Sequence, residues 1–336
     1  MSENQNKTDF KNHVNYEKIC EAYNRIGHII MRTPVHTSST IDNLTGKNVY
    51  FKCENFQKTG SFKARGALNG VLSKVSHIEN VNKYVGCITH SSGNHGTALA
   101  WASNIEKLPC TIVLPKDTPQ IKIDAIKHYN SKIVFCEPNP TSRVEVCDRV
   151  SKEENLLIVK PYDDYDVMCG QGTIAYEFLE QCPQLDAILI SVSGGGLISG
   201  ISTYAKAIKP DIRIFAVEPV GKQLSECIRN NKRNLDDKEP AFLKTKAEGI
   251  RTEQCGALTF PIIFQNVQPD DVFTVTDEEM VEATNFVLRR MKMVVELSAG
   301  AAVAAVMSNK MKNNYPELKH IGVILCGGNI DISVSL

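Results

Sequence analysis

The sequence predicts an α/β fold of two open twisted sheets flanked by helices. Near-continuous apolar runs of strand length alternate with segments of helical period along most of the 336 residues, the pattern of parallel sheets covered on both faces. Several of these runs end in glycine turns that open a helix, as βα units do. The units between about 85 and 160 are compact enough to form a small sheet of their own, inserted into a larger one.

The opening "MSENQNKTDFKNHVNYEK" is polar and lacks an apolar signal core, so it reads as a short disordered arm before the first helix. Strands are expected at "NVYFKC" (48–53), "VGCITH" (85–90), "CTIVLP" (110–115), "KIVFCE" (132–137) and "LLIVK" (156–160). Four more follow at "DAILISV" (186–192), "IRIFAV" (212–217), "VFTV" (272–275) and "HIGVILC" (320–326). Between them lie helix-period stretches: "GNHGTALAWASNIEK", "TPQIKIDAIKHYN", "GQGTIAYEFLEQC" and "TDEEMVEATNFVLRRMKM". The aperiodic segment 230–260 reads as a long irregular connection, a kind of loop that is often functional. No repeat or coiled-coil heptad is present.

Composition narrows the function classes. Lys plus Arg and Asp plus Glu are both 38, without the basic excess that a nucleic-acid or membrane-surface binder needs. No apolar run reaches the length of a membrane span. Eleven cysteines without a C-x-x-C pair suggest neither a disulfide framework nor a zinc site, and fit a reduced, cytoplasmic setting.

Four stretches carry chemistry. In "FQKTGSFKARGALNG", Lys63 stands among small residues beside Phe62. Such a setting suits a lysine that loses its proton and forms a covalent bond. In "ILISVSGGGLISG", a strand runs through Ser193, Gly194, Gly195 and Gly196 into a helix at Leu197. Bare amides at a helix N-terminus cradle phosphate, although glycine can also merely ease a tight βα turn. Neither the dinucleotide fingerprint nor a Walker loop is matched. In "THSSGNHGT", Ser91, Ser92, Asn94 and His95 stand at another helix start, suited to a carboxylate or simply to capping. In "ILCGGNID", Cys326 ends a buried strand, where open parallel sheets place ligands. An embedded lysine and three glycine-bearing strand ends fit one cofactor, an aldehyde with a phosphate tail.

Together, "SFKARGA", "THSSGNHG", "SGGGLISG" and "CGGNID" resemble the fold-type II pyridoxal-phosphate enzymes, which share the tryptophan synthase β-like fold, and within them the serine racemase and serine/threonine dehydratase group. The resemblance spans about residues 20 to 335. It implies pyridoxal 5'-phosphate on Lys63, with Phe62 against the ring and Asn94 on the ring hydroxyl. Ser193, Gly194, Gly195, Gly196 and Leu197 would hold the phosphate, and Cys326 would face the ring nitrogen. Ser91, Ser92, Asn94 and His95 would take the substrate carboxylate, helped by Arg143. A neutral thiol at Cys326 holds no charge on the ring nitrogen, which favours proton transfer or loss of a β-hydroxyl over transamination. Apolar walls should lower the Lys63 pKa.

The same resemblance implies a large lobe of residues 1–77 and 164–336, a small lobe of 78–163 that closes on the substrate, and a homodimer. Lys63 would remove the α-proton, and Ser92 would serve the opposite face, as in racemases that also eliminate water from serine. One stretch, "KPYDDYDVMCGQGT" with Tyr162 after Pro161, resembles a dehydratase of serine, threonine or 3-hydroxyaspartate, and "EGIRTEQCGALTFP" sits between the two patterns. A cofactor-binding relative without turnover is the third alternative. The chain ends soon after "CGGNID", which leaves no room for the regulatory domain of biosynthetic threonine dehydratases. Magnesium or calcium would bind Glu218, but position 224, where the racemases have a second acid, is leucine. ATP as an effector would map to Ser38, Ser39, Lys58, Thr59, Tyr129 and Asn329, with Thr97 departing from that pattern.

Overall fold

The computed structural model describes residues 10–75, 84–236 and 241–330. Residues 1–9 of the polar arm expected at the start lie outside them, as do the boundary expected near residue 77 and the last six residues; the rest of that arm is not disordered, since Phe10–His13 and Tyr16–Ile26 are helical and Phe10 and Val14 join the core. Ten strands are present among the described residues: β1 (Val35–His36), β2 (Asn48–Cys53), β3 (Gly86–Thr89), β4 (Cys110–Pro115), β5 (Lys132–Cys136), β6 (Leu156–Ile158), β7 (Ala187–Ser191), β8 (Arg213–Pro219), β9 (Val272–Val275) and β10 (His320–Leu325).

They form two sheets. The larger has the order β1-β2-β10-β7-β8-β9 and the smaller β5-β4-β3-β6. Every pairing is parallel except β1 with β2. Central β10 sets Val323 between Phe51 of β2 and Leu189 of β7. Its residues Ile321 to Leu325 and all of β7 are buried, as expected of a strand covered on both faces. This explains why nine strands read as apolar runs. Two-residue β1 is too short to show a period and was not expected.

Helices Lys63–Val75, Tyr165–Gln181 and Gly196–Ile208 pack against one another beside the larger sheet. Asp164 fixes the start of the second by accepting from the amides of Asp166 (2.9 Å) and Val167 (3.2 Å). The expected helix over 276–293 begins with a capping box of Thr276 and Glu279. It stays α-helical only to Phe286, then widens to a π-turn at Val287–Met291 that Lys292 ends at φ 60°. Among its described residues the irregular segment holds one antiparallel bridge, Phe242 with Thr252, and a short turn at Glu248–Ile250.

A fully buried charge network ties three of these elements together. Arg65 makes paired bonds to Glu54 (2.8 and 2.8 Å) and to Glu177 (2.8 and 2.8 Å). Lys52 bonds Glu177 at 2.6 Å and the Thr33 carbonyl at 2.8 Å. All four charged side chains are solvent-inaccessible. Removing one member would leave a buried unpaired charge, which costs about 3–5 kcal/mol. Arg65 thereby fixes β2 and helix Tyr165–Gln181 to the first turn of the helix that begins with Lys63.

Candidate active site

Lys63 is held where the end of β10 meets its own loop. The Phe62 amide donates to the Cys326 carbonyl (3.0 Å), and the Gly328 amide to the Gly60 carbonyl (2.9 Å). Ser61 bridges Gly327. The Lys63 Nζ donates to the Pro161 carbonyl at 2.5 Å and stands 5.0 Å from the centre of the Phe62 ring. Burial pushes its pKa down to about 8, against a partial upward pull from Cys326 and Glu296. The Cys326 thiol is raised well above its ordinary value, chiefly by burial, so it stays protonated and neutral.

The glycine loop presents an amide face. The Gly194 carbonyl accepts from the Gly256 amide (3.0 Å) and the Thr259 hydroxyl (2.6 Å), and the Gly195 carbonyl from the Ser199 amide (3.0 Å). With the carbonyls tied back, the N–H groups at the start of helix Gly196–Ile208 have no intrahelical acceptors. Gly195 has φ +97°, which side chains rarely adopt. A Cβ at Gly194 would lie 2.3 Å from the Tyr162 ring, so that ring packs directly on the loop. Leu197 follows in the first turn, and Ser193 is half-buried before it.

The third strand end supplies Asn94 and a residue that sequence reasoning missed. The Asn94 Nδ2 donates to both oxygens of Glu296, at 3.1 and 3.0 Å, and its Oδ1 accepts from Asn329 at 2.8 Å. Glu296 is raised to about 7, first by burial, with the Asn94 bond pulling the other way. Its amide donates to the Gly327 carbonyl (3.0 Å), so it borders the Cys326 turn. "VVELSAG" carries no motif, and only the tertiary approach to Asn94 reveals the residue. His95 is buried with Nε2 3.0 Å from the Val159 carbonyl, and burial lowers its pKa to about 3. It stays neutral at ordinary pH and is placed to orient rather than to titrate. Ser91 and Ser92 lie half-buried just ahead of this helix, at the end of β3.

Arg143 reaches the same loop from helix Pro140–Glu154 and donates to the His90 carbonyl at 2.9 Å. The other expected sites fare differently. Both Glu218 oxygens are occupied, one by the Leu224 amide (2.9 Å) and the other by the Thr274 hydroxyl (3.1 Å). Among the described residues no cluster of three His, Cys, Asp or Glu side chains could hold a metal. These residues do not fit a hard cation on Glu218, because position 224 contributes an amide hydrogen where a cation needs oxygen. Of the six nucleotide candidates, Asn329 donates to the Thr59 carbonyl at 2.8 Å, with Lys58 adjacent. Ser38 and Ser39 begin helix Ser39–Thr45, and Tyr129 packs on the small-sheet core beside His128.

A half-buried lysine of lowered pKa, an amide cradle at a helix start and a neutral thiol at the end of β10 match the needs of a phosphate-tailed aldehyde. No described helix is long and apolar enough to cross a membrane. The family model described as "Pyridoxal-phosphate dependent enzyme" matches residues 26–327. Serine racemase of Homo sapiens is 42% identical over 324 residues, which cover 96% of this chain and 93% of that protein. A solved structure titled as a pyridoxal 5'-phosphate-dependent aspartate racemase superposes with TM-score 0.91 at 50% identity, covering 95% of this chain and 97% of that one. Maize serine racemase superposes with TM-score 0.89 at 36% identity, covering 96% of each chain.

Proposed function

Since the chain belongs to the pyridoxal-phosphate dependent enzymes, we propose that it interconverts L-serine and D-serine and also eliminates the β-hydroxyl of serine, yielding pyruvate and ammonia. The observation that carries this reading is the likeness to serine racemases over nearly the whole chain. Lys63, Asn94 and the glycine loop stand intact within it.

Bound pyridoxal phosphate supplies an electron-withdrawing ring joined to the substrate nitrogen. The chain's own residues do the rest. The amides of Gly194, Gly195, Gly196 and Leu197, with the Ser193 hydroxyl, hold the phosphate. Asn94, itself oriented by Glu296 and Asn329, meets the ring hydroxyl. Phe62 supports the ring, and Cys326 places no negative charge on the ring nitrogen. Ser91, Ser92, Asn94 and His95 seat the substrate carboxylate. Lys63 takes the α-proton on one face, and Ser92 delivers a proton on the other. Residues 78–163 form the lobe that closes over the substrate. The homodimer, the cytoplasmic location and an ATP response through Ser38, Ser39, Lys58, Thr59, Tyr129 and Asn329 belong to the same proposal.

The test measures D-serine and pyruvate together from L-serine, with and without magnesium and ATP. Both products are expected. Pyruvate without D-serine would replace the racemase reading with a dehydratase. A second reading, racemisation of aspartate, is favoured by the 50% identity to an aspartate racemase.

The lowered pKa gives a further expectation. Only the neutral Lys63 amine attacks an aldehyde, so covalent capture of the cofactor by apoprotein should accelerate as pH rises through about 8 and then level off. An ordinary lysine would keep accelerating towards about 10.4. Stopped-flow absorbance across pH distinguishes the two profiles.

A further inference from the structure

The turn after β8 folds a lysine into the protein. Gly221 has φ +99° and Gln223 has φ +59°, the latter a conformation that side chains rarely adopt. Between them Lys222 is 4% exposed. Its Nζ donates to the Thr252 carbonyl at 2.7 Å and to the Glu253 carbonyl at 3.1 Å. Its charge also reaches Glu218: burial raises the pKa of that carboxyl, and the Leu224 amide and the Lys222 ammonium pull it back. A buried ammonium needs such oxygen partners, since it has three hydrogens to donate and no water to take them.

Two carbonyls and a neighbouring carboxylate are also the oxygens that a hard cation seeks. Here the ammonium of the chain itself already holds the carbonyls, and the Glu218 oxygens accept from the Leu224 amide and the Thr274 hydroxyl. A divalent ion brought to this place would meet a fixed positive charge and be repelled.

The two carbonyls open the segment that backs the glycine loop. Three residues after Glu253, the Gly256 amide donates to the Gly194 carbonyl (3.0 Å), and the Thr259 hydroxyl donates to the same oxygen (2.6 Å). The Cys255 thiol lies 3.9 Å from the Ser193 carbonyl. Arg233 holds the middle of the segment, donating to Gln254 Oε1 and to the Cys255 carbonyl, each at 3.2 Å. Lys222 therefore joins the end of β8 to the chain that ties back the carbonyls of Ser193 and Gly194.

We propose that Lys222 is a built-in cation that positions the phosphate seat from behind, so that no divalent ion is taken up at Glu218. It is a positioning residue, acting through Thr252 to Thr259 rather than on the reacting atoms. The proposal rests on the phosphate seat assigned above to Ser193, Gly194, Gly195, Gly196 and Leu197.

The test compares the full-length protein with Lys222→Met, which keeps an unbranched apolar stem and removes the charge. Each is stripped of cofactor and titrated with pyridoxal phosphate and, separately, with pyridoxal, which has the aldehyde but no phosphate. K222M should weaken pyridoxal phosphate by about 10- to 100-fold and change pyridoxal by less than about threefold. Equal weakening of both, or of neither, would overturn the positioning role and leave the phosphate seat standing. Pyridoxal binding the unaltered protein as tightly as its phosphate would overturn the seat and the proposal together. A second measurement needs no variant: the unaltered holoenzyme is dialysed against a chelator and then given millimolar magnesium or calcium, with bound cofactor read by absorbance. Cofactor retention should not change at either step. Loss on chelation that magnesium or calcium restores would overturn the proposal whether or not K222M folds.

Discussion

Lys63→Ala should remove D-serine and pyruvate formation together, each by at least the ~10²–10⁴-fold that a positioned proton-transfer group contributes. Both reactions begin with the same α-proton. The fold should survive, because the Lys63 side chain makes one hydrogen bond, to the Pro161 carbonyl, and lies outside the Arg65 network. Circular dichroism with the paired product assay checks this. Retention of either activity within about tenfold would show that another group takes the proton.

Ser92→Ala should separate the two reactions. Racemisation needs a proton delivered on the face opposite Lys63, whereas elimination needs only that the hydroxyl leave. D-serine formation should fall by ~10²–10⁴-fold while pyruvate formation persists within about tenfold. Ser92 is half-buried in an irregular turn ahead of helix Asn94–Ile105, so losing its hydroxyl should disturb little else. Deuterium uptake at Cα of recovered L-serine gives an independent readout: exchange should continue in the variant, because Lys63 still removes the proton. Equal loss of both products would assign Ser92 to substrate binding rather than to proton delivery.

The fold was legible because its central strands are buried on both faces, which forces unbroken apolar runs such as "AILIS" and "CTIVLP". Strand β1 escaped because two residues carry no period. At the site, Lys63, Gly194 to Gly196 and Asn94 were legible because backbone approach and helix starts restrict the residue types allowed there. Glu296 was not, because it lies in a stretch without a motif and matters only through Asn94, which the fold brings to it. The Glu218 expectation failed for a related reason. A lone carboxylate reads the same in sequence whether it faces a cation or, as here, an amide and a hydroxyl. The π-turn at Val287 was equally hidden, because the residues there are ordinary helix formers.

The clamp around Arg65 bears on how the molecule loses activity. Lys63 sits two residues from a side chain held by Glu54, at the start of the turn after β2, and by Glu177 of helix Tyr165–Gln181. Opening that region exposes unpaired charges and much of the core at once, so it belongs to the unit that opens last. The cleft rim, held by Lys122 with Glu248 and by Arg143 over Phe242, has only partly exposed contacts and opens first. Mild heating should therefore loosen substrate retention well before it displaces the nucleophile, and the lysine itself should be lost only when the larger sheet and its helices melt.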